Sequence, residues 1–153
     1  MTAHQVFEQK APIFMSWLIR DFHFTPEQAS GIVGNIGHES GGFTQLREIG
    51  KPSGRGGYGY CQWTGPRAHT FLNYCHAHKL DWRSDLGNYY YLKDELSKQY
   101  AYLLAHLKET DSVAGATECF ERYYERAGIP AMSSRIQWAN LALAAYHGVH
   151  KHG

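Results

Sequence analysis

Thr25-Pro26-Glu27-Gln28-Ala29-Ser30-Gly31-Ile32-Val33-Gly34-Asn35-Ile36-Gly37-His38-Glu39-Ser40-Gly41-Gly42-Phe43 reads as a buried helix with its own start and stop. Thr25 is an N-cap, Pro26 takes the first helical position, and Gln28 stands three residues after the cap. Ala29, Ile32, Val33 and Ile36 recur at helical spacing and form an inner face. Gly41-Gly42 ends the helix. Gly31, Gly34 and Gly37 recur every three residues along it. Glycine costs about 1 kcal/mol at an interior helix position. Three on one face therefore predict that a neighbouring helix or a ligand approaches very closely.

Outward from this stretch the chain reads as mostly helical. Residues 4–21 form an amphipathic helix carrying Val6, Phe7, Phe14, Trp17 and Leu18, with Pro12 as a possible kink or break. Thr64-Gly65-Pro66-Arg67 opens a helix through Phe71, Leu72 and Cys75. Residues 86–107 read as one long helix with Tyr91, Leu92, Leu96, Tyr100, Leu103 and Leu107 inward. Asp111-Ser112 caps a further helix carrying Val113, Ala116, Phe120 and Tyr123-Tyr124, which Ile129-Pro130 ends. A last helix spans residues 131–147, followed by a frayed tail. Residues 46–63 are irregular and rich in glycine. They are expected to form a loop leading into a small β-hairpin, the one piece of β structure.

The 153 residues fit a single domain of residues 1–153, large enough to bury a core without staples. Fifteen Lys and Arg against fourteen Asp and Glu leave a net charge of +1 and no basic stripe, which argues against nucleic acid. Three cysteines cannot pair completely, so synthesis in a reducing compartment is expected. The N-terminus does not read as a signal peptide, and no stretch is long and apolar enough to insert in a membrane. A monomer without metal or cofactor is expected.

Glu39 is the first candidate for chemistry. A carboxyl on the last turn of a buried helix, facing an open Gly-Gly exit, could be shielded on one side and reach a substrate on the other. Such shielding keeps a carboxylic acid protonated near neutral pH, as a general acid requires. Glycoside cleavage needs such an acid and a second group that stabilises or attacks the sugar cation. Glu48 is the best local candidate for the second role. The substrate's own N-acetyl group is the alternative. On strand geometry Tyr58, Tyr60 and Gln62 share one face, with Cys61 and Trp63 on the other. Tyr58 and Tyr60 would stack on sugar rings, and Gln62 would hydrogen-bond near the acid. Glu125-Arg126 reads as a structural ion pair. Cys75-His76-Ala77-His78 lacks a partner cluster for a metal site. Cys61 as a peptidase nucleophile has no identifiable base.

Three ordered motifs resemble a known group. Glu39-Ser40-Gly41-Gly42-Phe43 is similar to the Glu-Ser motif of lysozyme-like hydrolases and lytic transglycosylases. Tyr58-Gly59-Tyr60-Cys61-Gln62-Trp63-Thr64-Gly65-Pro66-Arg67 resembles an element of the phage tail lysozyme family. Phe120-Glu121-Arg122-Tyr123-Tyr124-Glu125-Arg126-Ala127-Gly128-Ile129-Pro130, with Arg135 beyond it, is similar to that family's C-terminal signature. The resemblance covers roughly residues 10–145. It implies a mainly α, lysozyme-like fold and cleavage of the β-1,4 bond between N-acetylmuramic acid and N-acetylglucosamine in bacterial peptidoglycan. It implies a catalytic Glu39 and a substrate-contacting Gln62. Ser40 and Tyr124, from the first and third motifs, join the expected substrate-binding set. Cys61 departs from the pattern, where a small apolar residue is usual, and residues 46–57 resemble an insert. Hydrolysis, anhydro-sugar formation by a lytic transglycosylase, and mere peptidoglycan binding in a virion all stay open. So does delivery, whether from the host cytoplasm to the wall or aboard the virion.

Overall fold

The computed structural model describes residues 1–48 and 56–150. Seven α-helices occur among them: α1 (Ala3–Phe22), α2 (Pro26–Ser40), α3 (Gly65–Ala77), α4 (Asp85–Gln99), α5 (Ala101–Lys108), α6 (Val113–Phe120) and α7 (Met132–His150). A single π turn, Glu121–Glu125, continues α6. None of these helices is long and apolar enough to cross a membrane.

α2 is the central element and packs against α7, α6 and α1. Its start is a capping box: the Thr25 hydroxyl accepts from Gln28 N, and the Gln28 side chain accepts from Thr25 N. Its end is Gly41, left-handed at φ 58°. The glycine stripe is explained by helices rather than a ligand. A Cβ at Gly31 would lie 2.6 Å from the Ala116 backbone on α6. One at Gly34 would lie 2.5–2.7 Å from Ala139 on α7, and one at Gly37 2.8 Å from Phe7 on α1.

Three expectations are corrected by the backbone. α1 runs unbroken through Pro12, which lies inside the helix and is buried. The long helix expected over residues 86–107 is two: Tyr100, at φ −126° and ψ 35°, separates α4 from α5. No strand forms among the described residues. Where the hairpin was expected there are two isolated antiparallel bridges, Arg47 with Tyr58 and Tyr58 with Trp63. The chain coils here because Gly59 and Gln62 both take left-handed backbone, at φ 78° and 55°. Strand alternation therefore fails, and Tyr60, Cys61 and Trp63 are all buried. Residues 49–55 of the expected insert, and the last three residues of the expected frayed tail, lie outside the described residues.

The core is strongly aromatic. Phe7, Phe14, Phe43 and Tyr60 form a continuous set of ring contacts at 4.7–6.1 Å between centroids. A second set joins Trp63, Phe71 and Tyr91.

Gly34→Ala is expected to destabilise the protein, because the added methyl meets the Ala139 backbone, which has no rotamer to yield. Over-packing of this kind costs about 1–3 kcal/mol, partly offset by about 1 kcal/mol of helix propensity. Gly128→Ala meets nothing within 4 Å and is the matched control. Thermal unfolding of both checks the packing; equal melting temperatures would mean that α2 and α7 do not sit this close.

Candidate active site

Glu39 lies on the last turn of α2 with 22% of its side chain exposed. The glycine pair that follows it is not wholly open. Gly42 is buried, and a Cβ there would lie 2.9 Å from Trp138 on α7. Nor does the Glu39 carboxyl sit alone in an apolar wall. Its Oε1 is 2.8 Å from an Nη2 donor of Arg135, whose side chain is 1% exposed.

Arg135 enters from the first turns of α7, and all three of its nitrogens are engaged. Nε donates to Pro130 O at 2.6 Å, Nη1 donates to Asn35 Oδ1 at 3.0 Å, and Nη2 meets Glu39. Asn35, one turn before Glu39 on α2, is itself held: its Nδ2 donates to Gly31 O and Thr117 O at 2.8 and 3.1 Å. Buried charge costs several kcal/mol unless paired and hydrogen-bonded, and this guanidinium is both. Nearby, His38 Nδ1 bonds the Ser134 hydroxyl at 2.8 Å. Burial, then the Arg135 charge, moves its imidazole below the usual histidine range, so it is neutral at pH 7.

Another carboxyl, Glu125, stands at the end of the π turn, close enough for the charge of Glu39 to act on it. The structural ion pair with Arg126 expected from the sequence is absent from the ion pairs among the described residues. Glu125 is half-buried as a residue, but its Oε1 is out of solvent and has no hydrogen-bond partner. Burial first, then the charge of Glu39, pushes its carboxyl well above the usual carboxylate range; the Arg135 and Arg67 charges act the other way.

The remaining residues singled out in the sequence are distributed differently. Ser40 is fully buried, with its hydroxyl donating to Ile36 O and accepting from Phe43 N at 2.7 and 2.8 Å. It shapes the turn behind Glu39. Tyr60 is 3% exposed and donates to Asp85 Oδ1 at 2.7 Å, beside Lys10. Tyr124 is 1% exposed; it accepts from Trp63 Nε1 at 2.8 Å and donates to Glu95 Oε1 at 2.5 Å. Tyr58 is half-buried, under the Arg47 guanidinium at 3.9 Å and edge-on to Trp82. Gln62 is half-buried and donates to Gly59 O at 2.7 Å, closing its own turn. Glu48 is exposed, and its Oε2 accepts from Gly57 N at 3.0 Å.

The two rival motifs are accounted for by packing. Burial pushes the Cys61 thiol well above its usual range, the opposite of what a nucleophile needs. Cys75 is a core residue whose thiol is pushed up to about 11, and the His78 ring packs on Tyr74 at 4.1 Å. Arg135 and Glu125 were the residues whose roles sequence reasoning missed. Both stand in or just after the C-terminal motif, which was the available signal, but nothing in that motif says which residue meets Glu39.

No curated protein matches this chain. The sequence model of one family, described as phage tail lysozyme, matches residues 9–146. That span holds Glu39, Glu125 and Arg135, and the chain belongs to the phage tail lysozyme family.

Proposed function

We propose that this protein is a peptidoglycan glycosidase that cleaves the β-1,4 bond between N-acetylmuramic acid and N-acetylglucosamine, with Glu39 as the reacting carboxyl. The observation that carries the reading is the Glu39–Arg135 pair: a partly exposed carboxyl anchored to a buried guanidinium whose three nitrogens each have a partner. Family membership supports the substrate class.

In this mechanism Glu39 gives its proton to the glycosidic oxygen as the C1–O bond breaks and its electron pair goes to that oxygen. Arg135 already points a donor at Glu39 Oε1, so the carboxylate left behind meets a preorganised partner. Preorganised charge of this kind is often the largest part of catalysis. Either water or the 6-hydroxyl of the same sugar then closes on C1, and its released proton returns to the site. The sugar cation is stabilised in between by the substrate's N-acetyl group or by a second carboxylate. Glu48 is the weaker candidate for that carboxylate, since it already holds the Gly57 amide.

Glu39→Gln keeps the shape of the side chain and removes its proton. Turbidity clearing of purified cell walls is expected to fall by about 10²–10⁴-fold, with folding intact by circular dichroism. Full lytic activity in that variant would refute the assignment, while walls that bind the wild type without clearing would mark a binding module. Arg135→Met removes the buried charge that Glu39 neutralises and should abolish clearing as well. It should also lower stability by about 3–5 kcal/mol in denaturant unfolding, and a neutral result would mean the pair anchors nothing. Mass spectrometry of released muropeptides separates the two closing steps, because an anhydro product is lighter by one water than a hydrolysed one.

A further inference from the structure

A cleft of about 410 Å³ opens beside the π turn. Ligand clefts run from about 300 to 1,000 Å³. Tyr100, Tyr102 and Leu103 line it from the α4–α5 side, and Arg122, Tyr123 and Arg126 from the π turn and its cap. Tyr102 is 66% exposed. Its ring is braced all the same: it meets Tyr123 edge-on at 5.5 Å, and both rings contact His106, at 4.2 and 5.3 Å. The result is a fixed aromatic surface turned partly to solvent.

The cleft is also cationic. Arg122 and Arg126 are exposed, and neither belongs to an ion pair among the described residues. Elsewhere the fold does pair its arginines: Arg20 with Asp21, Arg67 with Glu95, Arg135 with Glu39. No residue lining the cleft is acidic. Glu121, on the same turn, is buried and accepts from Ala127 N at 3.0 Å. Glu118 stands four residues before Arg122, a spacing at which helical ion pairs form, yet it lines a separate 210 Å³ hollow and pairs with no cation. The backbone adds an independent sign. Arg126 takes left-handed φ 49°, which glycine adopts without strain and a long side chain does not. Strained backbone and π turns both gather at functional sites.

We propose that this cleft binds the acidic stem peptide of peptidoglycan, with Arg122 and Arg126 taking its carboxylates and Tyr102 and Tyr123 packing on its apolar parts, so that the protein prefers peptide-bearing glycan to bare strands. This rests on the reading of the chain as a peptidoglycan glycosidase and adds a specificity site to it. In intact peptidoglycan the carboxylates are on the peptide, because the muramic acid carboxyl is used up in the amide that attaches it. Guanidinium forks match carboxylates in charge and in shape. A stem peptide extends about 3.3 Å per residue, so it carries those carboxylates away from the scissile bond. The cleft accordingly lies beside the candidate site rather than in it: Arg126 directly follows Glu125, on which the charge of Glu39 acts.

The probe is a soluble stem tripeptide, L-alanyl-γ-D-glutamyl-diaminopimelate, titrated into the full chain carrying ¹³C-labelled arginine and tyrosine. The side-chain NMR signals of Arg122, Arg126, Tyr102 and Tyr123 should shift together, and a chitin tetrasaccharide should leave them in place. Replacing both arginines, Arg122→Gln and Arg126→Gln, should weaken tripeptide binding by about tenfold or more. The same variant should lose the preference for intact over peptide-stripped glycan, through KM rather than kcat, with its fold checked by circular dichroism. A wild-type protein whose four signals do not move overturns the proposal without any variant. So does displacement of the tripeptide by an equal concentration of inorganic phosphate, which marks a site for any anion, and so do equal shifts with the chitin saccharide, which mark a sugar platform. Peptide binding needs no cleavage, so Glu39→Gln should bind the tripeptide as the wild type does. Binding by a wild type that clears no walls would keep the cleft and sink the glycosidase reading.

Discussion

The Arg135 guanidinium is the constraint around which this structure is arranged. It is 1% exposed, and a charge so placed would be costly without partners. Its three nitrogens reach two pieces of chain: Pro130 before α7, and Asn35 and Glu39 one turn apart on α2. One side chain thus fixes the register of α7 on α2 and fixes where the carboxyl of Glu39 points. Packing and chemistry cannot be varied separately here. A shift of α7 by one turn would unpair a buried cation and release the Glu39 carboxyl in the same step.

That arrangement requires the two helices to be unusually close. The glycine stripe supplies the approach. Gly34 faces Ala139 and Gly31 faces Ala116, with no room for a methyl between them. Asn35, in the same stretch, ties α2 to α6 through Thr117 O and to α7 through Arg135. Small residues bring the backbones together, and one amide and one guanidinium then fix the geometry. The helix-propensity cost of the glycines, about 1 kcal/mol each, is offset by the contacts the close approach allows.

What could be read from the sequence was local. The Thr25 capping box, the Gly41 stop and the glycine stripe are encoded within a few residues, and each appears as expected. Ser112 likewise accepts from Gly115 N to start α6. The failures are non-local or conformational. Alternation in residues 58–63 predicted a strand, but left-handed Gly59 and Gln62 coil the segment, so Tyr60 turns into the core to meet Asp85 and Lys10. Tyr100 gives no sign that it will break a helix. Glu39 stands out in the sequence as a candidate acid from its place on a glycine-ended helix. Its ion-pair partner does not, because Arg135 lies on the last helix and only the tertiary fold brings it to α2.

The contrast between two adjacent residues says most about the design. Tyr124 and Glu125 follow one another in the π turn. Tyr124 joins a closed network in which Glu95, 3% exposed, accepts from Arg67 twice, from Tyr91 and from Tyr124 itself. Every oxygen there is used, as buried polar groups require. One residue later, Glu125 is left with an oxygen that nothing satisfies. The fold plainly can satisfy a buried carboxylate at this depth with these residue types, because it does so at Glu95. The difference lies in the donors each site gathers: the Arg67 guanidinium and the Tyr91 and Tyr124 hydroxyls converge on Glu95, whereas no donor reaches Glu125 Oε1.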